Sequence, residues 1–312
     1  MFGDGCWLMG IKYQASDLGT AGSYSHLQAS DAKHPSPTSD LVFDVERVSF
    51  YYQGRFPALL DVSLQIRAGQ RVAILGANGS GKSTLLKILD GLYFPSEGVV
   101  RAFGRELTAT SLEDEEVNWA FRRRVGLVFQ DPDVQLFSPT VWDEVAFGPL
   151  QLGLSRQEVA SRVEAALALL RIEGLAERVP YGLSGGEKKK VALASVLVLE
   201  PEVLLMDEPT AALDPRSQRA LVDSILELSA AGRTIVTATH DLDIVAEIAD
   251  HVFVFGEERR LVRAGSPKEI LGDHDLLEAN NLAHSHRHVH AAADRGEVHN
   301  HPHLHHDLHG HQ

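Results

Sequence analysis

An α/β fold with a central, mainly parallel sheet is what the sequence predicts, on three observations. Four short runs, residues 71–75, 125–129, 203–206 and 234–238, are almost wholly apolar. Continuous apolar runs of that length are the pattern of parallel strands covered on both faces. Helix-length segments separate them, at residues 82–92, 156–170, 187–199 and 216–231, and such alternation marks an α/β sheet. Residues able to do chemistry gather directly after the apolar runs, and in open α/β sheets ligands lie beyond the carboxyl ends of the strands.

The elements follow in order. Residues 1–40 hold Gly, Ser, Asp and the run His34-Pro-Ser-Pro37 without sustained periodicity, and read as a disordered leader. Residues 41–52, rich in Val, Phe and Tyr, open the ordered body as a β-strand. Residues 62–66 alternate as a second strand, closed by an Ala68-Gly69 turn. The four apolar strands and their helices come next, and residues 281–312 form a tail of different composition.

Composition excludes several classes. Apolar residues make up 44 % of the 312 and charged residues 23 %, enough to build a globular core. The net charge of −14 disfavours a nucleic-acid binder, which needs clustered Lys and Arg. A single cysteine, Cys6, excludes an internal disulfide and fits a reducing compartment. No stretch approaches the roughly 20 apolar residues that cross a bilayer. The longest clean run, residues 191–199, fits a buried helix, and no secretory signal is visible.

The strand ends carry the chemistry. After the first comes Gly76-Ala77-Asn78-Gly79-Ser80-Gly81-Lys82-Ser83-Thr84, a phosphate-binding loop placed between a strand and a helix. Its glycines let backbone N–H groups surround phosphates, and Lys82 adds a cation toward the β- and γ-phosphates. Ser83 offers a hydroxyl to Mg²⁺, and the helix contributes its positive end. After the second strand stands Gln130, which by itself means little. After the third stand Asp207 and Glu208. Beside a phosphate loop, an Asp there binds Mg²⁺, directly or through water, and a Glu polarises an attacking water. After the fourth stands His240, next to the expected γ-phosphate. Ser184, Gly185 and Gly186 open the helix that precedes the third strand, a second anion site. One domain cannot easily bring both sites to one γ-phosphate, whereas two copies facing head to tail can.

In this order the motifs resemble the nucleotide-binding subunit of ABC transporters, over residues 41 to about 275. The resemblance implies a P-loop NTPase fold of the ABC ATPase type: an α/β domain with a central mainly parallel sheet, an antiparallel β subdomain and a helical signature subdomain. The body then spans residues 41–280, with the helical subdomain at about 131–185. ATP and Mg²⁺ are the implied cofactors. Tyr52 would stack on adenine, with Tyr51 its outward neighbour. Glu208 would be the catalytic base, His240 the γ-phosphate contact and Lys82 the phosphate cation. Gln130 would sense Mg²⁺ beside Ser83 and Asp207 and link the site to a membrane partner. Ser184, Gly185 and Gly186 would act on ATP held by a second protomer, and Asp214 would touch that protomer. Glu187 and Ala211 depart from the more frequent Gln and Ser without putting hydrolysis in doubt.

Within the family the chain is similar to the ATPase subunits of energy-coupling-factor (ECF) importers, on residues 125–141, 144–149 and 183–194. That likeness implies three partners: a second ATPase protomer, identical or paralogous, an integral membrane transport subunit and a substrate-binding membrane subunit. No nucleic acid is expected. It places the chain peripherally on the cytoplasmic side of the cell membrane. Phe137, Val141 and Phe147 are the candidates for docking the membrane subunit, with core packing as the equal alternative for each.

Of 16 histidines, 11 lie in the tail: His284, His286, His288, His290, His299, His301, His303, His305, His306, His309 and His311. The few apolar residues between them build no core, so disorder is expected. Neutral imidazoles suit Ni²⁺, Co²⁺, Zn²⁺ and Cu²⁺, and no fixed zinc spacing is present. The expectation is an ATP-driven importer subunit for nickel or cobalt whose tail binds the metal. The rivals are the same machine with a vitamin or other small solute as cargo, a soluble ABC ATPase that works outside transport, and a metal-buffering protein.

Overall fold

The computed structural model describes residues 6–8, 11–13, 40–288 and 299–303, in two units divided between Ser39 and Asp40. In the first unit, β1 (Cys6–Leu8) pairs antiparallel with β2 (Ile11–Tyr13). The leader expected to be disordered thus holds a short ladder. Trp7, Ile11 and Tyr13 are residues that favour strands.

The second unit opens with a four-stranded antiparallel sheet. β3 (Leu41–Tyr52) and β4 (Phe56–Arg67) pair along their length, with Phe50 opposite Leu59 and Tyr52 opposite Phe56. The second strand therefore starts before residue 62; Pro57 obscures its alternation in the sequence. After β5 (Arg71–Gly76) comes α1 (Lys82–Leu89), which stops short of residue 92 because Gly91 turns left-handed at φ +66°. β6 (Glu97–Ala102) and β7 (Arg105–Glu106) complete the first sheet in the order β4-β3-β6-β7.

α2 (Ala109–Glu113) and α3 (Glu115–Arg124) are capped by Thr108 and Asp114 and lead into β8 (Val125–Val128). The helical region follows as α4 (Val141–Gln151), α5 (Arg156–Leu169) and α6 (Gly185–Leu197), each started by a hydroxyl cap, from Thr140, Ser155 and Ser184. Next come β9 (Val203–Asp207), α7 (Pro215–Ala230), β10 (Thr234–Thr239), α8 (Leu242–Ile248), β11 (His251–Phe255), β12 (Leu261–Gly265), α9 (Pro267–Leu271) and α10 (His274–Ala279).

The second sheet runs β12-β11-β5-β10-β9-β8. It is parallel from β11 to β8, and only β12 is antiparallel. All four apolar runs are strands of this sheet. β11 is a fifth parallel strand that the reading of apolar runs omits, because it opens on His251 and is followed by no motif. One core cluster joins α1 to both sheets, through Phe43, Ile66, Leu86 and Phe255. Another holds the helical region against the opposite face of the second sheet, through Val145, Val163, Leu193 and Ile225. Among the described residues no helix is long and apolar enough to cross a membrane.

The folded body continues past the expected boundary at residue 280, because Leu282 and Ala283 are buried beside Leu277 in a third cluster. Part of the tail expected to be disordered is ordered as well: β13 (His284–His288) pairs antiparallel with β14 (His299–His303). Its alternate-residue histidines have the period of a strand, and the register sets His284, His286 and His288 opposite His303, His301 and His299. His290, His305, His306, His309 and His311 lie outside the described residues.

One buried acid gives the fold a pH dependence. Burial pushes the Asp90 carboxyl up to about 7 against the opposing pull of Arg122, whose Nη1 donates to Asp90 O at 2.6 Å and Oδ2 at 3.0 Å. A carboxyl whose folded pKa exceeds its unfolded one contributes fully at low pH, and that contribution is lost as pH rises toward 7. Asp90→Asn is therefore expected to be more stable than the native chain at pH 8, by on the order of a few kcal/mol. The gap should close as pH falls toward 4. Thermal melts across that range test this, and a native chain more stable at pH 8 would mean that the pair with Arg122 outweighs burial.

Candidate functional site

Parallel strands β5, β10, β9 and β8 end along one sheet edge, which carries Gly76, His240, the Asp207-Glu208 pair and Gln130 to one place. The loop from Gly76 wraps into α1 through Gly81, which is left-handed at φ +102°. A β-carbon on Gly81 would lie 2.3 Å from the carbonyl oxygen of Ala58, so only glycine fits. No side chain caps α1, which leaves its first N–H groups facing the loop for an anion.

Lys82 and Glu208 are both buried and face each other, Nζ to Oε1, at 3.6 Å. Lys82 Nζ donates to the carbonyls of Gly76 at 2.7 Å and Ala77 at 3.2 Å. Burial lowers the Lys82 pKa, while Glu208 and Asp207 oppose that shift. The Glu208 carboxylate is held on both oxygens. His240 Nδ1 lies 2.9 Å from Oε1, and Thr239 Oγ1 donates to Oε2 at 3.2 Å. Its backbone is left-handed, at φ +44°, which is strained for a side-chain-bearing residue. The pKa of Asp207 is raised by burial, against the hydroxyl of Ser83, and its Oδ1 is buried with no hydrogen-bond partner among the described residues. A buried acceptor without a partner is costly, and a hard divalent cation would satisfy it. Ser83, Asp207 and Gln130 offer the oxygen donors that Mg²⁺ takes.

A cavity of about 310 Å³ opens beside these groups, lined by Tyr52, Gly79, Lys82, Ser83, Gln130 and Glu208 among others. Asn78, Gly81 and Thr84 also line it. Gly76, Ala77 and Ser80 form the loop behind it, with Ser80 N–H donating to the Ala77 carbonyl at 3.2 Å. Tyr52 is half-exposed at its rim, anchored to Thr84 Oγ1 at 3.0 Å and edge-on to Phe50 and Tyr93. Tyr51 stays outside the cavity lining.

Ser184, Gly185 and Gly186 are not brought to this cavity. They start α6 at the surface, where Ser184 and Glu187 form a reciprocal cap: Ser184 N–H donates to Glu187 Oε2 at 2.8 Å and Glu187 N–H to Ser184 Oγ at 3.4 Å. Glu187 in place of Gln keeps that cap, and its pKa is lowered by the bonds from Ser184. Asp214 caps α7 and accepts from the N–H groups of Arg216 and Ser217. Among the docking candidates Val141 is corrected: it is fully buried in the helical core. Phe137 and Phe147 are exposed and pack edge to face, centroids 4.9 Å apart.

Three neighbours of the site escaped the sequence reading. Arg259 lines the cavity from the turn between β11 and β12, and its carbonyl accepts from Leu60 N–H at 3.0 Å. Thr239 holds Glu208, and Lys189 reaches the same residue from α6 with its buried ammonium, donating to the Glu208 carbonyl at 3.0 Å. The His240-Asp241 context pointed to the strand end that holds Thr239. Nothing in the sequence distinguished Arg259 or Lys189 from their basic neighbours.

Residues 59–211 match the family model described as ABC transporter. The chain is 52 % identical over 243 residues to the nickel import ATP-binding protein NikO of Rhodobacter capsulatus, covering 77 % of this chain and 95 % of that one. This chain belongs to the ABC transporter ATP-binding family. The ABC ATPase is also 40 % identical to the energy-coupling factor transporter ATP-binding protein EcfA of Methanothermobacter thermautotrophicus, over 77 % of this chain and 76 % of its relative. Among solved structures it is similar to cbiO1 of Clostridium perfringens, described as part of the ABC transporter complex cbiONQ, with TM-score 0.67, 38 % identity and 78 % and 95 % of the two chains covered. A dimeric cassette in a post-hydrolysis state with ADP and Pi matches with TM-score 0.64 and 28 % identity, over 72 % of the ABC ATPase and 98 % of that chain. The activity of the ABC ATPase is ATP hydrolysis coupled to transport.

Proposed function

We propose that this chain is the ATPase subunit of an ECF-type importer of nickel or cobalt ions, bound peripherally at the cytoplasmic face of the membrane. The identity to a nickel import protein, 52 % over nearly the whole of that relative, carries this reading. The likeness to a cbiONQ component supports the ECF assignment, and with it a membrane transport subunit and a substrate-binding membrane subunit as partners. Phe137 and Phe147 are the exposed aromatic pair for docking the first of these.

The mechanism is a clamp. ATP binds with adenine on Tyr52 and its phosphates in the loop from Gly76 to Thr84, where Lys82 exchanges its carbonyl partners for phosphate oxygens. Ser83, Asp207 and Gln130 hold Mg²⁺, which when bound neutralises phosphate charge. A second protomer closes on this ATP with its own Ser184, Gly185 and Gly186. Glu208 then orients a water and takes its proton as the water oxygen bonds to the γ-phosphorus, and the bond from that phosphorus to ADP breaks. His240 moves from Glu208 to the γ-phosphate. Closing and reopening move the membrane partner.

Uptake of labelled Ni²⁺ and Co²⁺ by cells with and without the gene tests the cargo. Uptake that is unchanged in its absence turns the reading toward a vitamin or other small solute. The tail is read as a metal-capturing appendix. A chain cut after Ala283, which keeps Leu282 and Ala283 in their cluster, should lose the several equivalents of Ni²⁺ or Co²⁺ bound by the full chain and keep its ATPase activity. Release of metal below about pH 6.5, where imidazoles protonate, should accompany this in the full chain. Equilibrium dialysis reads both, and equal metal binding by the cut chain would refute the tail's role.

A further inference from the structure

Three consecutive lysines follow the signature on α6, and the helix sends them to three places. Lys188 Nζ meets Asp133 Oδ1 at 2.6 Å. Lys190 Nζ donates to the Leu170 carbonyl at 3.2 Å. Lys189 alone of the three is buried, and its Nζ donates to two backbone carbonyls, Glu208 at 3.0 Å and Ala211 at 2.6 Å. Burying a lysine opposes its charge, and burial does lower this one's pKa, against Glu208, Asp131 and Asp207. An ammonium kept in such a place is held by what it bonds.

What it bonds is the turn that aims the proposed base. Glu208 is left-handed at φ +44° and Ala212 at φ +60°. The Ala211 N–H donates back to the Glu208 carbonyl at 3.2 Å, and the Glu208 N–H is tied to Ala238 at 2.9 Å. Lys189 closes the remaining side of this turn by joining the carbonyls at both its ends. Its own helix begins at Ser184, little more than one turn away. The same end of α6 lies against the start of α7 at Gly186, where a β-carbon would lie 2.9 Å from Ser217 Oγ. One helical turn thus links the signature to the backbone of Glu208.

We propose that Lys189 is a positioning residue that couples the two ATP sites of the clamp: seating this protomer's signature on the partner's ATP sets this protomer's own Glu208 for attack. The inference rests on the clamp reading above. Small displacements of a reacting group cost much in rate, so the link needs only a fraction of an ångström of travel to matter.

The test is a double-mutant cycle on the purified full chain. Gly185→Glu alters the signature on the face that the clamp turns to the partner's phosphates, and a β-carbon at Gly185 meets nothing within 4 Å among the described residues. Lys189→Met removes the donor and keeps the bulk of the side chain. Lys189→Met should bind a fluorescent ATP analogue as the native chain does, while kcat falls on the order of tenfold to a hundredfold. Lys189→Arg, which still donates to carbonyls, should regain most of the turnover. Lys189→Met combined with Gly185→Glu should lower kcat no further than the worse single variant. Losses that multiply, or a Lys189→Met kcat within twofold of native, would overturn the role of Lys189 and leave the clamp standing. A Gly185→Glu chain with native turnover would instead overturn the clamp. Should Lys189→Met fail to fold, Lys189→Gln takes its place in the same cycle.

Discussion

Glu208→Gln is expected to bind ATP, to dimerise on it and to turn it over at least on the order of a hundredfold more slowly than the native chain. The carboxylate occupies a buried position with its oxygens fixed by His240 and Thr239 and Lys82 Nζ at 3.6 Å. An amide fills the same space and still reaches His240 and Thr239, so the loop and α1 keep their geometry. It cannot accept the proton of an attacking water. Binding and closure therefore persist while the chemical step stalls, and the ATP-bound dimer accumulates. Size-exclusion chromatography with ATP, beside steady-state phosphate release, reads the two halves of this result. Turnover near the native rate would remove Glu208 from the role of base.

Lys82→Ala should fail one step earlier, at binding. Lys82 Nζ is the cation inside the loop, satisfied by the Gly76 and Ala77 carbonyls and facing Glu208. Without it, the β- and γ-phosphates would meet Asp207 and Glu208 with no positive side chain to offset them. Charge-assisted bonds of this kind are the strong ones, and the dissociation constant for ATP should rise on the order of a hundredfold. The variant also leaves Glu208 without its buried counter-ion, so a modest loss of thermal stability is expected together with the loss of binding. Titration with a fluorescent nucleotide separates the two, because a folded chain with native affinity would contradict the placement of Lys82 on the phosphates.

Much of the site was legible because its determinants are local. The loop from Gly76 to Thr84 needs small residues at the tight turn and a cation at the helix start, and both needs are written in consecutive positions. The acids at 207 and 208 follow an apolar strand in the same way. The antiparallel strand at residues 41–52 was legible from β-branched and aromatic residues. β11 was not, since a five-residue strand opening on His251 differs little from a buried loop. Val141, Phe137 and Phe147 were equivalent in sequence, and burial separated them, because helical phase turns Val141 to the core and Phe147 to the surface. The tail was expected to be disordered from its lack of apolar residues, yet Leu282 and Ala283 extend the core and the alternating histidines pair as strands.

By itself the sequence determined the class of machine, since phosphate chemistry demands particular residues at fixed short spacings, and the chain carries all of those motifs in order. It also set a tail of histidines apart from the body that carries the motifs. Only the tertiary structure decided which group serves which. Lys188, Lys189 and Lys190 are identical side chains in one run. A rotation of about 100° per residue sends one to Asp133, one beneath Glu208 and one to Leu170. The same holds for His240 on Glu208 and Arg259 at the cavity, because contacts between residues far apart in the chain depend on how strands stack in register and on the direction each helix face takes, which no local pattern encodes.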